Sequence, residues 1–430
     1  MSAKTYLKQG LIACFATALL LTPSYQASAA GDDIHKIARE VLPTEALYEL
    51  WAQSLTDREA VKRFYNSLKD KHTFTPIEGD AENMLVTYFA MGSKDTDYIL
   101  QSGGPDFYGL RFKRLGNTDL FYCTQRVPKD AMFIYGYNEF KNRSFGKGGV
   151  IQKEEMDHIH DGALYAPDAP VSPHVEAQPG VPKGQLETIT FKSTYMNEGR
   201  RLHVYVPAEY DENKSHNLII QLDGRQYAAE ANAGPLYRGW TPMTTILDNM
   251  IAGGEIAPTI AVLIPNQGNR SRDLISDAFA DFVAGELVPW VKSKYTISDD
   301  TADVIVSGPS RGGFAAANIA FKHSDVIGGV LSQSGSYWLT EKGDKNWPVY
   351  PAYDGKLIKA FKASDKVPIN FYLGVGLYEL GAGMVGTNRE LRDILELKGY
   401  SVTYKEYKTG HSHVSWRHTL PDGLRALLGE

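Results

Sequence analysis

The sequence is poor in the residues that build metal sites and disulfide frameworks. Only two of its 430 residues are cysteine, and Cys14 lies in an N-terminal segment that we expect to be removed. Cys123 would then remain alone, so the mature chain can form no intrachain disulfide. His158 and His160 fall in a polar stretch that we interpret as a loop. Because no group of Cys and His has metal-ligand spacing, the sequence predicts no metal and no cofactor.

The chain also lacks a basic stripe and a long apolar run. Its net charge is −6 with charges of both signs interspersed, which argues against a nucleic-acid partner. The apolar run Leu11–Leu21 is too short to cross a bilayer; it follows Lys4 and Lys8 and precedes the small residues of Ala27–Ala29. This pattern predicts a signal peptide over residues 1–29, a periplasmic or secreted protein, and no integral membrane segment after cleavage. An uncleaved anchor is the competing interpretation.

Three regions of different composition follow the predicted signal. Residues 30–82 carry apolar residues at helical spacing and predict an N-terminal helical segment. Residues 83–140 contain short runs rich in Tyr, Phe and Val, separated by Gly, Asp, Asn and Pro, which predicts a small immunoglobulin-like β-sandwich domain. Residues 141–185 are rich in proline and predict a stiff linker.

From residue 186 to 430 strand and helix patterns alternate. This alternation predicts a mainly parallel sheet covered by helices on both faces. Eight strand candidates are present, and a G-x-S-x-G motif follows the fifth, which is the order of an α/β-hydrolase catalytic domain.

The G-x-S-x-G motif places Ser310 between a β-branched run and a predicted helix. A strand, a tight turn and a helix are the context of the nucleophile elbow, in which the turn projects the serine hydroxyl above the sheet. Glycines two residues to either side are needed because a Cβ there would clash with the turn. We therefore predict that Ser310 is a nucleophile.

A serine hydroxyl needs an adjacent base, and His411 is the best candidate. It follows the last predicted strand, directly after Gly410, about a hundred residues beyond Ser310. The pKa of histidine lies near working pH, so an imidazole can accept and return a proton. His413 is the rival base, two residues further along the chain.

The third catalytic group should be a carboxylate after the seventh strand, where it would hold the imidazole in the right tautomer. Glu379 follows that predicted strand directly. The alternatives on the next predicted helix are Glu390, Asp393 and Glu396, which we interpret as a solvated face.

Acyl transfer also needs amide donors for the developing oxyanion. One should be the backbone N–H of Arg311, the residue after the nucleophile. The second should come from the loop after the third strand of this domain, at Gly224 or Arg225. An ordinary Asp-Gly turn is the alternative interpretation of that loop.

Residues at the same edge of the sheet are candidates for substrate binding. Arg270 and Arg272 follow another strand end and would favour an anionic substrate, whereas Arg200 and Arg201 are expected at the surface. Two aromatic residues, Tyr227 and Trp338, are further candidate contacts.

Together these motifs closely resemble the enterochelin (enterobactin) esterase family. The segments that carry the resemblance are Gly308–Gly313, Leu331–Trp338, Gly410–His411 with Trp416–Arg417, Leu222–Gly224, Glu286–Trp290 and, in the β-rich region, Arg114–Leu120. The catalytic half alone is shared with the wider esterase D and feruloyl-esterase group.

The resemblance implies hydrolysis of the trilactone backbone of a ferric catecholate siderophore, with release of iron. It also implies that Ser310 is the nucleophile, His411 the base, Glu379 the acid and Arg270 a substrate-facing residue. The partner would be a small ester molecule. Two alternatives stay open: a feruloyl or acetyl-xylan esterase, and a protein that binds siderophores on this scaffold without cutting them.

Overall fold

A computed structural model describes residues 29–106, 109–228, 239–340, 355–379 and 382–429. These residues form two compact units. The first comprises the described residues up to Ser102 together with Gly109–Pro128 and Gly136–His160, and the second comprises the rest. The predicted signal peptide lies outside the described residues except for Ala29. Within the described ranges, no helix is long and apolar enough to cross a membrane.

The first unit begins with three helices and continues as strands. The helices are α1 (Ala29–Val41), α2 (Glu45–Ser54) and α3 (Ala60–Ser67). The strands are β1 (His72–Pro76), β2 (Asn83–Met91), β3 (Thr96–Ser102), β4 (Leu110–Arg111), β5 (Lys113–Arg114), β6 (Leu120–Pro128), β7 (Met132–Phe145) and β8 (Ile151–Tyr165). Residues 132–135 of β7 and 161–165 of β8 belong to the second unit. One antiparallel sheet has the order β1-β2-β6-β5, and β3 pairs antiparallel with both β4 and β7. The predicted β-rich domain is confirmed.

The helices belong to this β-rich unit rather than to a separate segment. Trp51 of α2 and Val61 of α3 share one apolar core with Phe89 of β2 and Tyr122 of β6. Strand β1 also lies inside the range 30–82. The predicted helical segment is therefore wrong as a separate region, because the apolar stripes of these helices are buried against the sheet.

The predicted linker 141–185 is wrong over its first half. Strand β7 runs to Phe145, and β8, which begins at Ile151, pairs with it. His158 and His160 therefore lie on a strand and not in a loop. Most residues of β8 are exposed on both faces, so the alternation of apolar and polar residues that marks a half-buried strand is missing. Beyond Tyr165 the proline-rich segment has only a short 3₁₀ turn, Pro173–Val175.

The second unit contains the eight predicted strands of the catalytic domain. They are β9 (Gln185–Ser193), β10 (Glu198–Val206), β11 (Asn217–Leu222), β12 (Thr259–Ile264), β13 (Val304–Pro309), β14 (Gly329–Gln333), β15 (Asn370–Tyr378) and β16 (Ser401–Gly410). Their spatial order is β9-β10-β12-β11-β13-β14-β15-β16. The pairs from β12 to β16 are parallel, while β10 is antiparallel to both of its neighbours.

Helices cover both faces of this sheet. They are α4 (Gly224–Tyr227), α5 (Met243–Ala252), α6 (Arg270–Asp273), α7 (Asp277–Asp281), α8 (Val288–Lys294), α9 (Arg311–Lys322), α10 (Lys356–Ala363), α11 (Ala382–Leu397) and α12 (His413–Leu428), and a π-helical stretch joins α7 to α8. Ile220 packs in a core with α9, whereas its neighbour Ile219 packs in another core with α5 and α12. Successive side chains thus enter opposite cores, which explains the unbroken apolar runs of the central strands.

Candidate active site

Ser310 lies at a strained turn between β13 and α9. Its φ of 58° and ψ of −120° are unusual for a residue with a side chain. Such backbone costs about 1–3 kcal/mol and persists only where the surroundings impose it. A Cβ on Gly308 would lie 2.7 Å from the backbone carbon of Gly312, so the turn leaves no room for one. The amide of Ser310 donates to the carbonyl of Gln333 at 2.7 Å, which joins the turn to the end of β14.

His411 and Glu379 form the hydrogen-bonded pair that the sequence predicts. His411 Nδ1 lies 2.8 Å from Glu379 Oε2, and the carboxylate is buried while the imidazole keeps some exposure. An ionised carboxylate only accepts hydrogen bonds, so Nδ1 carries the proton and Nε2 keeps its lone pair. The pair therefore holds the imidazole in the tautomer that a general base requires.

Two further donors fix the carboxylate of Glu379. Its Oε1 accepts from the hydroxyl of Ser334 at 2.5 Å and from the amide of Gly376 at 2.7 Å. The pairing of β15 with β16 shifts register between Gly376 and Tyr378, which lets the chain bring Glu379 back over that amide. A Cβ on Gly376 would lie 2.5 Å from the carbonyl oxygen of Thr409 and 2.6 Å from Oε1 itself, so only glycine fits there.

The rival residues have other roles in the structure. His413 is buried, its Nδ1 lies 2.9 Å from the hydroxyl of Thr241, and burial lowers its pKa to about 4. On α11, Glu390 pairs with Lys362 and Asp393 pairs with Arg392. Neither carboxylate bonds an imidazole in the described structure.

Ser310 and His411 lie at the same edge of the sheet, because both follow the carboxyl ends of parallel strands. Their expected hydrogen bond is not formed among the described residues. The Ser310 hydroxyl lies 3.4 Å from that of Ser336 instead. Catalytic hydrogen bonds are often long in the absence of substrate and shorten only in the reacting complex.

The two expected oxyanion donors lie at helix N-termini. Arg311 is the first residue of α9, and Gly224 and Arg225 are the first two of α4. The first amides of a helix have no partner within the helix, so this is where donors to an anion are found. A Cβ on Gly224 would lie 2.5 Å from the backbone nitrogen of Ile264, so α4 approaches β12 too closely for a side chain.

Arg270 reaches this edge but its charge is matched by a buried carboxylate. Its Nε and Nη2 lie 2.5 Å and 2.7 Å from the two oxygens of Asp223, which also accepts from Asn266. Burial opposes the charged form of Arg270, but the bonds to Asp223 outweigh it and hold its pKa above the usual range. The pair is close to neutral, so the expected excess of positive charge here is reduced.

Arg272 and Arg200 share one carboxylate, that of Asp273. The guanidinium of Arg272 is mostly exposed, 2.8 Å from Asp273 Oδ1. Arg200 Nη2 lies 2.6 Å from Asp273 Oδ2, and its side chain is 1% exposed. The expectation that Arg200 lies at the surface is therefore wrong, because a carboxylate from α6 compensates its charge in the interior.

Two of the candidate substrate contacts are buried. Tyr227 is fully buried and donates from its hydroxyl to Gln333 at 3.1 Å. Trp338 is 3% exposed and belongs to the apolar core. The expectation that they contact substrate is not met in this structure, since neither presents a surface to a ligand.

The sequence predicted no role in the site for three residues that contact its members: Asp223, Ser334 and Trp416. Asp223 adopts a φ of 58° and holds Arg270, and Ser334, with a φ of 56°, holds Glu379. The Asp-Gly pair at the start of α4 is the available sequence signal for Asp223. No local pattern marks Ser334, because its partner is 45 positions away in the chain. Among the described residues no group of three His, Cys, Asp or Glu could hold a metal ion.

The strand order, the elbow after the fifth strand and the histidine after the eighth define an α/β-hydrolase. Residues 193–427 match the Esterase family model, described as "Putative esterase". This range is more than half of the chain, and the chain belongs to that esterase family.

Named relatives agree with this membership. The chain is 29% identical over 283 residues to the iron(III) enterobactin esterase of Dickeya dadantii, a match covering 62% of each protein. It is 27% identical over 267 residues to the iron(III) enterobactin esterase of Escherichia coli K12, covering 61% of this chain and 62% of the relative. The match thus spans less than two thirds of these relatives.

A crystal structure of ferric enterobactin esterase from Salmonella typhimurium shares the fold. It superposes with a TM-score of 0.66 at 19% identity, covering 85% of this chain and 98% of the other. At this identity the likeness extends to the fold alone.

Proposed function

We propose that this protein is a serine esterase with Ser310 as nucleophile, His411 as general base and Glu379 as the group that orients the base. The observation that carries the proposal is the 2.8 Å bond from His411 Nδ1 to a buried carboxylate. It leaves Nε2 as a proton acceptor at the sheet edge where the strained turn presents the serine.

The reaction would proceed in two halves. His411 Nε2 takes the proton of Ser310 as Oγ attacks the ester carbonyl, and the oxyanion receives hydrogen bonds from the amides of Arg311 and of Gly224 or Arg225. The imidazolium then returns the proton to the leaving alcohol, and an acyl-enzyme remains. Water, activated by the same imidazole, attacks the acyl group and releases the acid, which restores Ser310.

The proposed substrate is a ferric catecholate siderophore with a trilactone backbone, such as enterobactin. The names of the two curated relatives support this class. Three ester bonds in one ring give the esterase three cleavable sites, and opening the ring would weaken the binding of iron by the siderophore. The iron is part of the substrate and not a cofactor of the protein.

We further propose that the protein acts after export, in the periplasm or outside the cell. The support is the sequence pattern of a cleavable signal over residues 1–29. Fractionation of cells that express the full chain would test this, together with mass measurement of the mature N-terminus. A full-length cytoplasmic product would refute it.

Product analysis tests the activity and the substrate together. The purified protein is incubated with ferric enterobactin, with a feruloylated xylooligosaccharide and with a simple aryl ester, and the products are identified by mass spectrometry. We expect ring-opened and monomeric fragments of the siderophore, and no cleavage by Ser310→Ala.

Preferential release of ferulate would instead support the alternative of a polysaccharide esterase. Tight binding of ferric siderophore without cleavage, and no labelling of Ser310 by a fluorophosphonate, would support the alternative of a binding protein.

A further inference from the structure

The turn after β14 brings the hydroxyl of Ser334 to the carboxylate of Glu379, the acid of the expected triad. Ser334 is buried, 1% exposed, and its Oγ lies 2.5 Å from Glu379 Oε1. On its other side the same Oγ accepts from the indole Nε1 of Trp416 at 2.9 Å. The side chains of Glu379, which follows β15, and of Trp416, on α12, are thus joined through one serine.

The chemistry of the partners determines the direction of these bonds. An indole N–H is a donor only, so Ser334 must accept from Trp416. A serine hydroxyl has one proton, and the remaining partner is a carboxylate oxygen, which only accepts. The proton of Ser334 therefore points at Glu379, and the carboxylate keeps Oε2 for His411.

The backbone supports the same interpretation. Ser334 has a φ of 56°, a conformation that a residue with a side chain rarely adopts. Its amide donates to the carbonyl of Gly374 at 2.6 Å, which ties the turn to β15. Glycine would adopt this backbone without strain, so a serine at this position carries a conformational cost. Strained residues of this kind cluster at functional sites.

Trp416 contacts the base as well. Its ring lies edge-on to the imidazole of His411, with centroids 4.9 Å apart and an angle of 81° between the planes. One indole therefore packs against the base and orients the hydroxyl that holds the acid.

We propose that Ser334 is a positioning residue for the Glu379–His411 pair, and that Trp416 sets the direction of its hydroxyl. Ser334 touches neither the nucleophile nor the substrate in this assignment; it acts by fixing the carboxylate. The inference rests on the proposed esterase function, but its structural part concerns only the bond between Glu379 and His411.

Two substitutions separate the effect of losing the Ser334 hydroxyl from the effect of relieving its strained backbone. Ser334→Ala removes the hydroxyl and leaves a Cβ in the strained conformation. Ser334→Gly removes the hydroxyl and relieves the strain, so it should be at least as stable as Ser334→Ala. Ser332→Ala is the matched control, because Ser332 is fully buried two residues earlier on β14 and does not contact Glu379.

We expect both Ser334 variants to hydrolyse an aryl ester with kcat lowered about 10- to 100-fold and KM nearly unchanged, the loss of one hydrogen bond to a charged group. Trp416→Phe keeps a ring beside His411 and should lower kcat less. Recovery of kcat in Ser334→Gly, or equal losses in Ser332→Ala, would show that the backbone or the packing matters and would overturn the proposal.

A proton NMR measurement separates this inference from the proposed function. The Nδ1 proton of His411 in its bond to the carboxylate should give a far-downfield signal, assigned by its loss in Glu379→Gln. We expect that signal to broaden or disappear in both Ser334 variants and to persist in Ser332→Ala. An unchanged signal in the Ser334 variants would refute the positioning role, whereas failure of the wild type to cleave any ester would refute the function instead.

Discussion

Replacing Glu379 by Gln should move the imidazole proton of His411 from Nδ1 to Nε2 while leaving the surroundings of the base intact. Oε1 of Glu379 accepts two hydrogen bonds, one from the Ser334 hydroxyl and one from the Gly376 amide. Both are donors, so the carbonyl oxygen of a Gln side chain must take that position. The amide NH₂ is then left at the position of Oε2, 2.8 Å from Nδ1 of His411.

An NH₂ group at that position requires a lone pair on Nδ1, so the imidazole proton moves to Nε2. Nε2 is the atom that must accept the proton of Ser310, and it can no longer do so. Enforcing the wrong tautomer in this way lowers turnover about 10⁴-fold, or roughly 5 kcal/mol of transition-state stabilisation. Gln has nearly the same volume as Glu, so the fold should be preserved.

The assay is steady-state hydrolysis of an aryl ester and of ferric enterobactin, with thermal unfolding as the test of folding. Glu390→Gln is the matched control, since this helix carboxylate pairs with Lys362 away from the imidazole, and it should keep full activity. A folded Glu379→Gln protein with more than a tenth of wild-type kcat would refute the assignment of the acid.

Three further predictions follow from single features. Ser310→Ala should lower kcat about 10⁴-fold or more without loss of stability, and residual turnover close to wild type would exclude Ser310 as the nucleophile. Arg200→Met should lower the free energy of unfolding by about 1–3 kcal/mol in urea titrations, because it removes the buried one of the two guanidinium groups that bond Asp273 and leaves Arg272 as its partner. Its exposed neighbour gives the control Arg201→Met, which should change little. Burial lowers the pKa of His413 to about 4, so between about pH 6.5 and pH 4 the unfolded chain binds more protons than the folded one. The stability that comes from keeping His413 neutral and buried is therefore fully present above pH 6.5, and acidification through pH 4 lowers the free energy of unfolding by on the order of 3 kcal/mol. His413→Gln should make the free energy of unfolding depend less on pH over this range.

The strands and helices of the catalytic half can be predicted from the sequence because its strands are long apolar runs. Buried parallel strands carry apolar residues on both faces, and the helices between them keep a helical period. The first unit is harder to read. Strand β8 is exposed on both faces and shows no pattern, and the helices before β1 give no sign of the sheet that buries Trp51.

Among the candidate site residues, too, some could be identified from the sequence and others could not. Ser310, Glu379 and His411 each follow a strand in the sequence order of an α/β-hydrolase, so chain position identifies them. Tyr227 and Trp338 follow strands as well, yet both are buried, because chain position does not say which way a side chain points.

The linear sequence by itself predicts Ser310, Glu379 and His411 as the residues proposed to carry the chemistry, since the turn at Ser310 and the strand ends before Glu379 and His411 are local patterns. Tertiary structure alone decided how these groups are held. The pairing of Asp223 with Arg270, the burial of Arg200 against Asp273 and the bond from Ser334 to Glu379 each join residues more than forty positions apart. Such contacts depend on which strands become neighbours in the sheet, and no local period or propensity encodes that.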